Sequence, residues 1–165
     1  PWDFTAELSE RDGCINAFGE VPMGHAPKHE CMFGALLLQK DVSSYSYSDF
    51  YRMNYDTIEK ITELLDVKKW WQMRINVTTG QNANFVGAYH VDSDTVLFDK
   101  QGKTACFYLN TNNGGTRFEC KDTGLEGDIV RSKANRIVIF PCDMPHAGVW
   151  YTDAKLRYVM NMNYE

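Results

Sequence analysis

A chain of 165 residues is long enough for one domain with a single sizeable core, and its 44% hydrophobic content excludes a disordered chain. Its formal net charge of −5 argues against a long nucleic acid as the main partner, because a phosphate backbone needs a basic face. No apolar run reaches the length of a membrane span. We find no signal peptide and no CxxC pair among the five cysteines, which predicts reduced thiols in a cytoplasmic protein.

The predicted elements divide a single domain, residues 1–165, into three stretches. Residues 1–45 have an irregular pattern, in which glycine and proline interrupt short apolar segments. Residues 48–66 predict a supporting helix with an apolar stripe at helical spacing. That stripe consists of Phe50, Met53, Ile58, Ile61, Leu64 and Leu65.

Residues 69–165 predict a β-rich core, because short β-prone segments alternate there with turn signals at nearly regular spacing. The eight segments are Trp70–Thr78, Phe85–Asp92, Thr104–Asn110, Thr116–Cys120, Asp128–Arg131, Arg136–Phe140, Ala147–Tyr151 and Leu156–Asn163. Eight such strands after one helix predict a mainly β fold with a flanking helix, a double-stranded β-helix (jelly roll, cupin-like).

Three residues are candidates for metal ligands, namely His90, Asp92 and His146. His90 and Asp92 are two positions apart, so in a strand both side chains point to the same face. His146 follows a buried-looking strand that breaks at a proline. Two imidazoles and one carboxylate form the facial triad that holds non-heme Fe(II) and leaves coordination positions open.

Arg157 lies in a strongly β-prone segment beyond the second histidine. If a short turn precedes this segment, Arg157 lies opposite Trp150, on the order of 13 Å along the strand from the level of His146. A long side chain that reaches back leaves room for a five-carbon diacid. An arginine inside a barrel needs an anion, because an unpaired buried charge is costly.

The stretch from Cys106 to Cys120 predicts a hairpin centred near Asn113, with Tyr108 opposite Phe118 on one face. If that face is interior, the hydroxyl of Tyr108 needs a hydrogen-bond partner in an otherwise apolar barrel. A carboxylate of 2-oxoglutarate would serve.

Three pieces of the second half of the chain, about residues 71–164, together resemble the Fe(II)- and 2-oxoglutarate-dependent dioxygenases, and among them the prolyl 4-hydroxylase-like group. The pieces are Ala88–Asp92, Tyr108–Gly115, and the series Phe140, Pro141, His146 and Arg157. The glutamate that often follows the Gly-Gly pair in this group is Thr116 here.

The resemblance implies that His90, Asp92 and His146 ligate Fe(II), that Arg157 pairs with the distal carboxylate of 2-oxoglutarate, and that Tyr108 hydrogen-bonds this carboxylate. It also implies 2-oxoglutarate and O₂ as co-substrates, with ascorbate as a further candidate. The implied activity is that of an oxidoreductase which hydroxylates a C–H bond and releases succinate and CO₂.

The substrate and two other functions stay open at this point. A prolyl residue in a peptide is the substrate that the resemblance suggests, and a free amino acid, a modified nucleobase or another small molecule fits the same residues. A non-enzymatic jelly-roll binding module is one alternative function. A zinc-dependent hydrolase with the same three ligands is the other. The sequence leaves the oligomeric state open.

Overall fold

The computed structural model describes residues 2–5, 32–40, 44–92, 102–119 and 126–165. Within these residues, strands and helices follow in chain order. They are β1 Trp2–Thr5, β2 Met32–Lys40, β3 Tyr45–Tyr47, α1 Asp49–Met53, α2 Tyr55–Leu64, β4 Trp70–Thr79, β5 Lys103–Tyr108, β6 Gly115–Glu119, β7 Glu126–Arg131, β8 Arg136–Pro141, β9 His146–Val149 and β10 Leu156–Tyr164.

Two antiparallel sheets contain these strands. The large sheet has the order β1-β2-β4-β10-β5-β8, with β3 also paired to β2, and the small sheet has the order β7-β6-β9. Single bridges from Val86 to Val149 and from His90 to His146 add an irregular edge to the small sheet beside β9. From β4 onward the chain passes back and forth between the two sheets. The predicted double-stranded β-helix is confirmed.

The stretch predicted as irregular contributes a long strand to the large sheet. β2 pairs with β4 from Met32, opposite Thr78, to Gln39, opposite Gln72, while β1 and β3 both pair with β2. Gly34 is one of the glycines that predicted an irregular pattern over residues 1–45, and it lies inside β2. The backbone of a glycine can complete a ladder when strands flank it on both sides, so the prediction is wrong for residues 32–40. Residues 6–31 and 41–43 lie outside the described part of the chain.

The helix predicted over residues 48–66 is two helices, which meet at Asn54. The hydroxyl of Ser48 caps α1 by accepting a hydrogen bond from the backbone N–H of Tyr51, at 3.2 Å. Because the helix breaks at Asn54, one apolar stripe does not run through both halves. The buried members of the predicted stripe are Ile58, Ile61 and Leu65, and the exposed members are Phe50, Met53 and Leu64. Among the described helices, none is long and apolar enough to cross a membrane.

One face of the large sheet packs against the helices and forms the main apolar core. Ile58 and Ile61 of α2 belong to the same buried cluster as Met73 of β4 and Met162 of β10. Trp70 joins the two layers, since its indole N–H donates a hydrogen bond to the hydroxyl of Thr62 on α2 at 3.3 Å. The opposite face of the large sheet is turned toward the small sheet.

We predict that Ile58→Ala lowers the free energy of unfolding by about 2–5 kcal/mol, because it leaves a cavity between α2 and the sheet. The Ile58 side chain is 1% exposed, whereas that of Met53 is 84% exposed. The control variant Met53→Ala should therefore change stability by no more than about 0.5 kcal/mol. Urea denaturation measures both values, and equal effects of the two variants would contradict this packing of α2.

Candidate metal centre

The structure brings the three predicted ligands together. One potential ligand atom from each of His90, Asp92 and His146 lies within 4.8 Å of the other two. His90 Nε2 is 3.9 Å from Asp92 Oδ1, and His146 Nε2 is 3.9 Å from Asp92 Oδ2. Two nitrogen donors and one carboxylate at this spacing fit a metal site that uses one face of the coordination sphere.

Backbone hydrogen bonds between the edge of the small sheet and β9 position this cluster. His90 and His146 exchange two such bonds, each backbone N–H donating to the other residue's carbonyl oxygen at 2.9 Å. The N–H of Asp92 donates to the carbonyl of Cys142 at 2.9 Å. The predicted strand Phe85–Asp92 does not form, and only isolated bridges at Val86 and His90 are present. The bridge at His90 is the one that pairs it with His146.

Both imidazole rings direct Nδ1 at a backbone carbonyl. The Nδ1 of His90 is 3.3 Å from the carbonyl oxygen of Ala88, and the Nδ1 of His146 is 3.0 Å from that of Met144. Because a carbonyl only accepts, these contacts favour the tautomer with the proton on Nδ1, which leaves the lone pair on Nε2 for a metal. Burial and the nearby His90 lower the pKa of His146, although Asp92 opposes them, so the neutral ligand form is favoured.

Two residues that the sequence analysis did not select hold the carboxylate of Asp92. The Thr104 hydroxyl donates to Asp92 Oδ2 at 2.6 Å, and the Asn163 side-chain amide donates to the same oxygen at 3.1 Å. Thr104 and Asn163 are directly opposite each other on β5 and β10. Asp92 is thus tied to the large sheet, whereas both histidines belong to the small sheet.

The cluster is open on one side and enclosed on the other. The His90 side chain is 42% exposed, whereas that of His146 is 5% exposed. The ring of Phe140 packs edge-on against His146 with a centroid distance of 4.6 Å, and the ring of Phe118 lies 6.5 Å away. A small ligand would therefore approach from the His90 side, with an apolar wall behind His146.

Arg157 is buried without an acidic partner. Its Nη1 donates to the carbonyl oxygen of Val149 at 3.0 Å, but its buried Nε has no hydrogen-bond partner among the described residues. Among the described residues, no carboxylate lies within the 4.0 Å of a salt bridge to this guanidinium. Burial lowers the pKa of Arg157 below its usual range, because the guanidinium loses hydration, and the nearby Tyr108 opposes this only in part.

The position of Arg157 differs from the predicted one in its strand partner. Arg157 lies opposite Thr78 of β4 and not opposite Trp150, because residues 150–155 carry the chain from the small sheet to the large one. Its side chain nevertheless reaches β9 at Val149, three residues beyond His146. That interval is about 10 Å along the strand, which leaves room for a small dicarboxylate.

Tyr108 lies inside the fold, but the predicted hairpin is wrong. Its strand β5 belongs to the large sheet, whereas β6, with Phe118, belongs to the small sheet, so the turn residues between them form a crossing and not a hairpin. The Tyr108 hydroxyl is 2.7 Å from that of Thr116 and joins the two sheets. Burial raises the pKa of Tyr108 to about 12, so the phenol stays neutral near pH 7. Its ring lies 5.7 Å from the guanidinium carbon of Arg157.

Thr78 is a further interior group that the sequence analysis missed. Its hydroxyl oxygen is buried and has no hydrogen-bond partner within the described part of the chain, and the residue lies directly across the strand pair from Arg157. Side chains in such a pair stand on the same face with Cβ atoms about 5 Å apart. Two unsatisfied polar groups, the Arg157 Nε and the Thr78 hydroxyl, therefore lie at the same end of the interior.

A separate groove of about 480 Å³ lies between the helices, β3 and the start of β4. Tyrosines 45, 47, 51 and 55 contribute to its wall. None of the predicted site residues lines this groove, so its position does not bear on the metal cluster.

No family model matches the chain, and no curated protein matches its sequence. Solved structures do resemble its fold. The non-heme α-ketoglutarate-dependent epimerase SnoN from nogalamycin biosynthesis is 14% identical with a TM-score of 0.58, and the match covers 81% of this chain and 61% of that one. A 2OG-Fe(II) oxygenase family oxidoreductase from Burkholderia pseudomallei is 7% identical with a TM-score of 0.62, over 99% and 73% of the two chains.

A prolyl-4-hydroxylase from Pseudomonas putida is also similar, at 18% identity and a TM-score of 0.48 over 99% and 91% of the two chains, which is too low to support the prolyl 4-hydroxylase-like subgroup. The chain spans 61% of the length of SnoN. At these identities the likeness concerns the fold, and the chain shares the jelly-roll fold of 2-oxoglutarate-dependent oxygenases.

Proposed function

We propose that this protein is an Fe(II)- and 2-oxoglutarate-dependent oxygenase that hydroxylates a C–H bond of its substrate and releases succinate and CO₂. One observation carries the proposal. The open cluster of His90, Asp92 and His146 and the buried, anion-free guanidinium of Arg157 both adjoin the four-residue strand β9. A ligand with a chelating end and an anionic end fits such an interior.

The donor set of the cluster suits Fe(II). The His90 and His146 rings would each supply an Nε2 atom and Asp92 one carboxylate, so three coordination positions of the ion would stay free. When bound, Fe(II) supplies the activation of O₂ coupled to decarboxylation of 2-oxoglutarate. The protein's own residues hold the ligand atoms, exclude water behind His146 and orient the co-substrate.

The far end of the interior suits the distal carboxylate of 2-oxoglutarate. Arg157 would donate through its Nε, and the Thr78 hydroxyl would complete a second hydrogen bond. Tyr108 would contribute its hydroxyl or its ring, which already lies 5.7 Å from the guanidinium carbon. A bound carboxylate would thus remove the penalty of an unpaired buried cation.

The proposal also extends to the substrate, the reductant and the cellular compartment. We propose a prolyl residue in a peptide as the first substrate to test, with free amino acids and other small molecules next. Ascorbate belongs in the assay as a candidate reductant. We also propose a cytoplasmic setting, and one domain over residues 1–165 stays a prediction.

Anaerobic titration with Fe(II) and then 2-oxoglutarate should give the weak visible charge-transfer band of the chelated co-substrate. Arg157→Ala should weaken the affinity for 2-oxoglutarate about 30-fold or more, because it removes one partner of a buried charge pair. The exposed Arg52 offers a matched control, and Arg52→Ala should titrate as the unmodified protein does. Iron binding without any band would contradict the proposal and favour a binding module or a hydrolase.

Asp92→Ala should abolish succinate formation, because only two of the three protein ligands remain. Succinate is measured by mass spectrometry after incubation with Fe(II), 2-oxoglutarate and ascorbate, first without substrate and then with proline-containing peptides. Asp56→Ala, which removes an exposed carboxylate on α2, should leave succinate formation unchanged. Persistent turnover in Asp92→Ala would refute the assignment of the metal centre.

A further inference from the structure

We infer that Thr104 and Asn163 are positioning residues that commit Asp92 to ligation through one oxygen, Oδ1. The inference rests on the proposed metal centre and adds to it the groups that set the orientation of its carboxylate. Neither residue would touch the metal or the substrate. They would act through Asp92.

The three side chains form a closed hydrogen-bonded triangle in which each polar hydrogen has one acceptor. A carboxylate only accepts, so the Thr104 hydroxyl donates its single hydrogen to Asp92 Oδ2, at 2.6 Å. The Asn163 amide then directs one hydrogen to Oδ2, at 3.1 Å, and the other to the Thr104 hydroxyl oxygen, at 2.9 Å. This arrangement also fixes which side-chain atom of Asn163 is nitrogen, since an amide oxygen would face a second acceptor.

The triangle makes the two oxygens of Asp92 unequal. Oδ2 accepts two hydrogen bonds and has both lone pairs engaged, while Oδ1 accepts none among the described contacts. Both oxygens lie 3.9 Å from a histidine Nε2, Oδ1 from that of His90 and Oδ2 from that of His146, so the hydrogen bonds alone distinguish them. Ligation through Oδ1 alone uses one coordination position. A carboxylate that bound through both oxygens would use two, and would leave too few positions for a chelating co-substrate and O₂.

The sheet itself holds the two donors in place. Thr104 is 0% exposed and Asn163 is 6% exposed, and they are opposite residues on the hydrogen-bonded strands β5 and β10. Their separation is therefore set by the strand register and not by a loop. Asp92, by contrast, lies in none of the named strands, and the triangle is the side-chain anchor that ties it to the large sheet.

Binding of Co(II) to the whole protein tests the inference without 2-oxoglutarate or turnover. Thr104→Val and Asn163→Leu should each weaken Co(II) affinity about 10- to 100-fold, the effect expected when a partner of a metal ligand is removed. Thr104→Ser keeps the hydroxyl and should restore affinity. Met162→Leu, a buried change on the opposite face of β10 beside Asn163, is the control for altered packing.

The visible absorption of bound Co(II) provides a second readout, because it depends on coordination number and geometry. Thr104→Val and Asn163→Leu should alter this spectrum, whereas Thr104→Ser and Met162→Leu should not. Circular dichroism identifies which variants are folded. Thr104 and Asn163 lie on different strands, so if one of the two substitutions prevents folding, the other still tests the inference.

The outcomes separate this inference from the proposed function. If the unmodified protein binds Co(II) and the folded Thr104 and Asn163 variants match it in affinity and spectrum, the positioning role is refuted while the metal centre stands. If Met162→Leu weakens binding as much as Asn163→Leu does, the effect is one of packing and the role is likewise refuted. If the unmodified protein binds no divalent ion, the proposed function itself fails.

Discussion

The paired backbone hydrogen bonds between His90 and His146 are the contact on which the site depends. They join an irregular edge of the small sheet to β9 and bring the two imidazole centroids to 4.4 Å. A backbone pairing fixes both side chains at once, since directly opposite residues in an antiparallel bridge stand on the same face. The rings then need only a defined tautomer, which the carbonyls of Ala88 and Met144 provide. The backbone pairing thus places the two histidines, and their side chains supply the nitrogen atoms of the candidate metal site.

The large sheet separates two environments. Its outer face packs Met73 and Met162 against the helices in the larger apolar cluster, and a smaller apolar cluster with Phe140 and Val159 lies on the inner side. Its inner face carries polar groups, which are tolerable only where they are hydrogen-bonded. Thr104 and Asn163 meet this condition through Asp92, but Arg157 meets it only in part, because its Nη1 binds Val149 while its Nε has no partner among the described residues. The unsatisfied groups mark the part of the interior where a ligand would improve the stability of the fold.

The clustering of His90, Asp92 and His146 was easier to predict from the sequence than the pairing of the strands, because the two depend on interactions of different range. His90 and Asp92 are close in sequence, and strand parity is a local property, so the shared face of these residues was predictable. Whether Tyr108 and Phe118 share a sheet depends on strands elsewhere in the chain, and the local turn signal pointed to a hairpin that does not form. Thr104 and Asn163 were missed for the same reason, namely that they are brought together by strands distant in sequence. Their role follows from the β5–β10 register, which no local pattern encodes.

The charges of Asp92, Arg157 and a bound divalent ion, taken together, would favour a dianionic co-substrate. Asp92 and Arg157 carry opposite charges, and a histidine that ligates a metal is neutral. A divalent ion at the cluster would then leave an excess of two positive charges in a partly buried space, which a low dielectric makes expensive. A monoanion would neutralise only half of this excess. A dicarboxylate with one end at the metal and the other at Arg157 would neutralise all of it, and the interval of about 10 Å along β9 suits a short one.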